Sequence, residues 1–131
     1  MSRESQKQIK RIVIKLGSGT IANYYMHPEA SGFQSLIREI SFAHAKGIQV
    51  VLVSSGSIVL GLGELKQPVR PSDVSSLQAI AAIGQNVLMN VYTELFKKNK
   101  LRCAQILLTW DDFNDRARYN NAHHTINKIL D

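Results

Sequence analysis

Residues 14–22 read "IKLGSGTIA" and mark the point where the first regular element of the chain ends. The β-branched run Arg11–Leu16 stops at Gly17, which predicts a buried strand followed by a glycine turn. Gly17-Ser18-Gly19-Thr20-Ile21-Ala22 fits the G-x-G-x-x-A form of the dinucleotide-binding fingerprint, and Lys15 lies at the carboxyl end of the strand. The stretch therefore indicates either a dinucleotide turn or a phosphate loop that carries its own cation.

The rest of the chain alternates between apolar runs and helical periodicity. After the first strand, the sequence predicts a helix that is capped by Ser31 and Gln34 and stopped by Gly47, and then a buried strand Ile48–Val53. A short helix Ser57–Leu62 follows, and then a long helix that is capped by Ser72 and has an apolar stripe from Val74 to Leu95. The last two predicted elements are a strand Cys103–Thr109 and a helix Tyr119–Leu130. Gly84 interrupts the stripe and would let another element approach closely. This order predicts an α/β protein with a parallel sheet and crossover helices.

Two features argue against a dinucleotide site. The glycine motif runs into "NYYMHPEASG", where no helical periodicity is visible before Ser31, although a dinucleotide turn needs a helix to begin within the motif. The second strand ends at Val53-Ser54-Ser55, without the acidic residue that would hold a ribose. A phosphate loop is favoured.

Two strand ends offer groups suited to anions. Lys15 stands beside the backbone N–H groups of Gly17, Ser18 and Gly19, and "SSG" (residues 54–56) precedes a helix N-terminus. Each has an ordinary alternative: Lys15 could extend to solvent, and Ser54 or Ser55 could simply cap the helix. Because ligands of open α/β sheets bind at the carboxyl ends of the strands, we expect both turns to serve one pocket.

Four blocks of sequence resemble the glutamate 5-kinases of the amino-acid kinase family: "KLGSG" (15–19), "VSSGSIVLG" (53–61), "LQAIAAIGQNVLM" (77–89) and "QILLTWDDFNDRARYNNAHHTINKIL" (105–130). The resemblance implies a three-layer α/β/α sandwich with a mainly parallel sheet. It also implies transfer of the γ-phosphoryl group of ATP, with Mg²⁺, to the side-chain carboxylate of L-glutamate, the first step of proline biosynthesis.

The resemblance also implies roles for individual residues. Lys15 would contact the ATP phosphates and stabilise the transferring group, and Gly17, Ser18 and Gly19 would line the phosphate channel. Ser55 would hold glutamate, with Gly56 and Ser57 beside it. The sequence departs from the commoner family pattern at Gly19 and Ser57, where Ser or Thr and Ala are usual, and both changes are small.

In domain terms, residues 1–11 are expected to form a polar tail and residues 12–131 the N-terminal, acceptor-binding part of the kinase domain, without its nucleotide-binding half. The piece alone is expected to be inactive. Three alternatives stay open: another amino-acid kinase, a non-catalytic remnant or split subunit, and a nucleic-acid-binding module.

The net charge of +6 favours anionic partners, but the few aromatics are not interleaved with the basic residues, which argues against a base-stacking nucleic-acid surface. No signal peptide or transmembrane run is visible, so a soluble, cytoplasmic protein without membrane contact is expected, with homo-oligomers in the family's full-length form.

Several other residues are expected to have structural uses. Cys103 lies in an apolar run and is expected to be a reduced core thiol, while Trp110 and Tyr119 are expected to pack locally. No metal site is expected: His123 and His124 are adjacent, so on a helix they point apart. The acids Asp111, Asp112 and Asp115 could bind magnesium, but capping of the final helix is favoured. Arg116 and Arg118 could reach an anion or form a surface contact.

Overall fold

The computed structural model describes residues 9–29 and 32–131. The chain divides into two compact units, Met1–Leu101 and Arg102–Asp131. The elements of the first unit are β1 Arg11–Leu16, α1 Ser18–Met26, α2 Phe33–Ala45, β2 Gln49–Ser54, α3 Ser57–Glu64 and α4 Val74–Lys98. The second unit contains α5 Asp111–Asn114 and α6 Arg116–Leu130.

The sheet of the first unit is parallel, as predicted. Strands β1 and β2 pair with Arg11 opposite Gln49 and Leu16 opposite Ser54. Side chains alternate along β1, so Leu16 enters the core while Val13, on the other face, is 65% exposed. Val53 in β2 is also 49% exposed, so the prediction that both strands are fully buried was wrong for this chain. The helices of this unit cover one face of the sheet.

The core of the first unit lies between that covered face and the helices. Its buried members are Leu16, Ile21, Phe33, Ile37, Ile40, Leu60, Leu88, Tyr92, Leu95 and Phe96. Helix α2 ends as predicted, because Gly47 takes a positive φ of 79° and its N–H donates to the carbonyl of His44. The expected cap at Ser31 lies outside the described residues, and Gly32 stands at the N-cap position of α2.

Helices α3 and α4 pack through glycine. A Cβ atom on Gly84 would overlap the carbonyl oxygen of Ser57, and one on Gly61 would overlap that of Ile80. The close approach predicted at Gly84 is therefore confirmed, and the approaching element is α3. The cap of α4 was predicted wrongly: Asp73, not Ser72, is the N-cap, because its carboxylate accepts from the N–H of Ser76 at 2.8 Å.

Three further expectations were wrong. Residues 101–109 adopt no helix or strand, so the predicted strand Cys103–Thr109 is not formed in the described chain. An apolar run becomes a strand only where another strand offers its backbone groups, and Leu107 remains 72% exposed. Cys103 is exposed rather than a core thiol, and Trp110, 84% exposed, does not pack locally. Tyr119 does pack locally, with its ring stacked on His123 at 6.1 Å.

Candidate functional site at the strand ends

The two predicted anion-binding turns lie side by side at one edge of the sheet. Lys15 is opposite Val53 and Leu16 is opposite Ser54 in the parallel register. The pairing continues one step beyond the strands, because the N–H of Ser55 donates to the carbonyl oxygen of Leu16 at 3.0 Å. The structure thus brings the turn after β1 and the turn after β2 together at the carboxyl ends of the strands.

The first turn leads directly into α1, a helix that the sequence analysis did not predict. Gly17 is its N-cap, and the N–H groups of Thr20 and Ile21 donate to the Gly17 carbonyl. The missed signal is the spacing of Ile21 and Tyr24: Ile21 is fully buried, and the Tyr24 ring lies 4.9 Å from that of Phe33. One of the two arguments against a dinucleotide site was therefore wrong. The other stands, since β2 ends in serines.

Neither the backbone conformation nor the packing of the described residues requires glycine at positions 17 and 19. Gly17 has φ −76° and ψ 161°, a conformation open to any residue. A Cβ atom on Gly17 or on Gly19 would meet no atom within 4 Å. The turn therefore leaves open space next to the N-terminus of α1, where N–H groups without intrahelical partners favour an anion.

Lys15 precedes Gly17 by two residues and has an exposed side chain. It lies on the sheet face of Val13, opposite the core, which is how β alternation allows a charge near the end of an apolar strand. Among the described residues, no hydrogen bond or ion pair engages its ammonium group. Lys15 can therefore offer a positive charge to a ligand without breaking a contact of the fold.

The second turn requires its glycine. Gly56 has a φ of 117°, which L side chains rarely adopt, and an added Cβ atom would lie 3.0 Å from Cγ2 of the buried Ile21. Gly56 is the N-cap of α3 and makes no side-chain capping bond. Helix α3 thus begins with uncapped N–H groups, next to Ser55 and Ser57, and its N-terminus attracts negative charge.

The serines of this turn do not cap α3, so that alternative was wrong. Instead, the Ser54 hydroxyl lies 3.1 Å from the carbonyl oxygen of Ser55 and 2.7 Å from the hydroxyl of Tyr92 on α4. Burial raises the pKa of Tyr92 above its usual range, which keeps the phenol protonated at neutral pH. Sequence reasoning missed Tyr92. Its place in the apolar periodicity of α4 was the only signal, and that signal indicates core packing rather than polar contact.

The acids of the second unit organise their own segment. Asp115 caps α6 by accepting from the N–H of Arg118 at 2.8 Å, which confirms the capping prediction for this residue. Asp112 accepts from the backbone N–H and hydroxyl of Thr109, and these bonds, with a smaller contribution from Arg118, lower the pKa of its carboxyl.

Arg118 is already engaged, since its guanidinium forms an ion pair with Asp112 at 2.9 Å. Across residues 9–29 and 32–131, no group of three or more His, Cys, Asp or Glu side chains is arranged to hold a metal ion. Over the same ranges, no helix combines the length and the apolar character needed to cross a membrane.

A parallel α/β unit whose neighbouring strand ends carry a lysine, a glycine turn and an uncapped helix N-terminus is typical of proteins that bind anionic ligands at a sheet edge. The model of the amino acid kinase family matches residues 10–131, and the chain belongs to that family.

Several curated relatives of this chain are glutamate 5-kinases. The chain is 40% identical over 129 residues to a glutamate 5-kinase of Chromohalobacter salexigens, an alignment that covers 98% of this chain and 34% of the relative. It is 43% identical over 125 residues to a glutamate 5-kinase of Nitrosospira multiformis, covering 95% of this chain and 34% of the relative. A glutamate 5-kinase of Symbiobacterium thermophilum is 37% identical over 128 residues, covering 98% of this chain and 49% of the relative. The chain thus spans between about a third and a half of the length of these relatives.

Proposed function

We propose that this chain provides the acceptor-binding part and the phosphate loop of a glutamate 5-kinase. The activity is transfer of the γ-phosphoryl group of ATP to the side-chain carboxylate of L-glutamate, which gives L-glutamyl 5-phosphate. The observation that carries the proposal is the hydrogen bond from Ser55 to Leu16, because it joins the lysine-bearing turn to the serine-bearing turn at one sheet edge. The names of the relatives support glutamate as the acceptor.

The chemistry suits such a site. A glutamate carboxylate is already ionised at neutral pH, so the enzyme needs no general base to activate it. The difficulty is to bring two anions together in line and to stabilise the charge on the moving phosphoryl group. An ammonium group and uncapped helix N-termini at one sheet edge would supply that stabilisation.

The residues present fit a triphosphate. Lys15 would contact the phosphates, and the N–H groups of Ser18 and Gly19 would bind phosphate oxygens in the space beside Gly17 and Gly19. ATP supplies the transferable phosphoryl group, and Mg²⁺ would enter bound to its phosphates. On the neighbouring turn, Ser55 would hold the glutamate, with Gly56 and Ser57 at the N-terminus of α3 beside it.

The same proposal extends to the fold of the whole protein. The exposed side chains of Val13 and Val53 on the uncovered face support a third layer, which further helices would complete as a three-layer α/β/α sandwich. We also propose that the protein acts in the cytoplasm as a homo-oligomer, in the proline biosynthesis pathway.

Comparison of acceptors tests the proposed substrate. ADP release is measured on the complete polypeptide that the gene encodes, with ATP, Mg²⁺ and either L-glutamate, N-acetylglutamate, carbamate or UMP. We expect turnover with glutamate to exceed turnover with each of the other three. A preference for one of the others would assign the chain to a different amino-acid kinase and would contradict the proposal.

A second test concerns residues 1–131 alone. Because the relatives are two to three times as long, we propose that this piece does not transfer phosphate by itself. Incubation with ATP, Mg²⁺, glutamate and hydroxylamine should then give no glutamyl hydroxamate above the blank. Formation of the hydroxamate would overturn this part of the proposal.

A further inference from the structure

Tyr92 is a buried tyrosine whose hydroxyl reaches the end of β2, where the second turn of the candidate site begins. Its side chain is 5% exposed and lies among aromatic rings, with the ring of Phe33 at 6.0 Å and that of Phe96 at 6.3 Å. From this apolar setting the phenol oxygen lies 2.7 Å from Oγ of Ser54, the last residue of β2. A buried phenol needs a polar partner, and Ser54 provides it.

The direction of this hydrogen bond follows from counting protons. A serine hydroxyl has one proton to donate, and Ser54 directs its hydroxyl to the carbonyl oxygen of Ser55 at 3.1 Å. When that proton is directed to the Ser55 carbonyl, Ser54 accepts from Tyr92 and the phenol is the donor. The result is a relay in which Tyr92 donates to Ser54 and Ser54 donates to the carbonyl of Ser55.

The relay fixes the peptide group that enters α3. The peptide between Ser55 and Gly56 is planar and trans, so its N–H points away from its carbonyl. Holding the carbonyl of Ser55 towards Ser54 therefore sets the direction of the Gly56 N–H. Gly56 has no side chain that would restrict rotation of this peptide group, so neighbouring groups have to hold its orientation.

The phenol is carried by α4, a helix that packs closely against α3. Tyr92 lies on α4 about two turns beyond Gly84, the residue at which α4 presses against the first turn of α3. The same helix thus holds α3 at Ser57 and holds the strand end at Ser54. Both ends of the turn are fixed by a single element that lies outside the turn.

We propose that Tyr92 is a positioning residue for the acceptor: through Ser54 it orients the Ser55–Gly56 peptide so that the N–H groups at the start of α3 can bind the carboxylate of glutamate. This inference rests on the proposed function. It adds a residue that does not touch either substrate.

Kinetics on the complete polypeptide test this role with the variants Tyr92→Phe, Ser54→Ala and the double variant. Loss of one buried hydrogen bond should raise the KM for glutamate by about fivefold, with the KM for ATP unchanged. Because both residues belong to one relay, the double variant should be no worse than the worse single variant. Tyr24→Phe is the matched control, since it removes a phenol from a partly buried aromatic residue packed against the same core, and it should leave both KM values unchanged.

A spectroscopic measurement gives a second readout that does not depend on turnover. In residues 1–131 labelled with ¹⁵N, the amide signal of Gly56 should shift in Tyr92→Phe and in Ser54→Ala, and should stay in place in Tyr24→Phe. A purely structural role for Tyr92 would lower stability without separating the two KM values or moving this signal selectively.

The outcomes separate the two proposals. If the wild type phosphorylates glutamate and Tyr92→Phe has the wild-type KM for glutamate, the role of Tyr92 is wrong while the proposed function stands. Additive effects of the two substitutions, or an equal rise in the KM for ATP, would also overturn it. If the wild type shows no glutamate-dependent turnover, the proposed function fails and this role fails with it.

Discussion

A Cβ atom on Gly84 of α4 would overlap the carbonyl oxygen of Ser57, the first residue of α3. The backbones of the two helices therefore approach as closely as two chains can at this point. Ser57 also follows the turn that carries Ser55 and Gly56. Helix α4 therefore contacts α3 at its first residue, directly after the turn of the candidate site.

The first prediction compares two glycines in different surroundings. Gly84→Ala should lower the free energy of unfolding by about 3 kcal/mol or more, because the added methyl group must separate two backbones. Gly19→Ala should raise it by up to about 1 kcal/mol, since Gly19 lies in α1 with open space around it and alanine favours a helix. Urea unfolding of residues 1–131 measures both. Equal effects of the two substitutions would contradict the packing at Gly84.

The second prediction concerns the charge of Lys15. Lys15→Met should lower kcat/KM of the complete polypeptide by roughly 100-fold, because the variant lacks the cation that we propose faces the transferring phosphoryl group. Its stability should stay close to that of the wild type, since the side chain is exposed. Lys10→Met is the matched control, as Lys10 is an exposed lysine just before the other end of the same strand. Comparable losses of activity in both variants would point to overall charge rather than to a specific contact.

The third prediction concerns the cap of α4. Asp73→Ala should lower the melting temperature, while Ser72→Ala should leave it unchanged, because only Asp73 accepts from the N–H of Ser76. An unchanged melting temperature in Asp73→Ala would show that this cap does not stabilise the helix.

The same cap should depend on pH. The hydrogen bonds from Ser76 hold the pKa of Asp73 below its ordinary value of 3.8, so the folded state favours the ionised form. The stabilisation is complete above pH 3.8 and is lost as the pH falls through the lower pKa of the folded state. Asp73→Asn keeps a capping oxygen but does not titrate, and its stability should therefore fall less over this acid range.

The fourth prediction addresses the second unit, whose helices contain no buried residue. With little core to hold it, the start of α6 should depend on local bonds such as those that Asp112 accepts from Thr109 and Arg118. Asp112→Ala should speed amide exchange in the first turns of α6. Asp111→Ala, the matched control at the exposed neighbour, should not. Equal exchange rates in the two variants would contradict this dependence.

Local sequence patterns predicted the elements whose signals lie within a few residues of each other. The β-branched runs of β1 and β2, the glycine stop of α2 and the long periodicity of α4 all lie in this class. Helix α1 was missed because only Ile21 and Tyr24 mark its inner face, too few positions to reveal a helical period. The cap of α4 was misplaced by one residue because Ser72 and Asp73 are both good capping residues, and only geometry selects between them.

Some residues of the candidate site could be identified from the sequence, and others could not. Lys15, the glycine turn and the serine turn are visible in sequence because strand ends and glycine clusters can be located there. Tyr92 is not, because its partner Ser54 lies 38 residues away and a tyrosine in an apolar stripe predicts only packing. The strand expected at Cys103–Thr109 shows the opposite error, because an apolar run cannot reveal whether a partner strand is present.

The sequence by itself determined that two parallel strands end in turns suited to anions, because strand propensity, glycine and the rule for parallel sheets act over short stretches of chain. Only the tertiary structure decided that Ser55 bonds to Leu16, that α4 packs against α3 at Gly84 and that the buried phenol of Tyr92 bonds to Ser54. Those contacts join residues far apart in the chain. Which groups meet depends on how the whole core packs, and no local pattern contains that information.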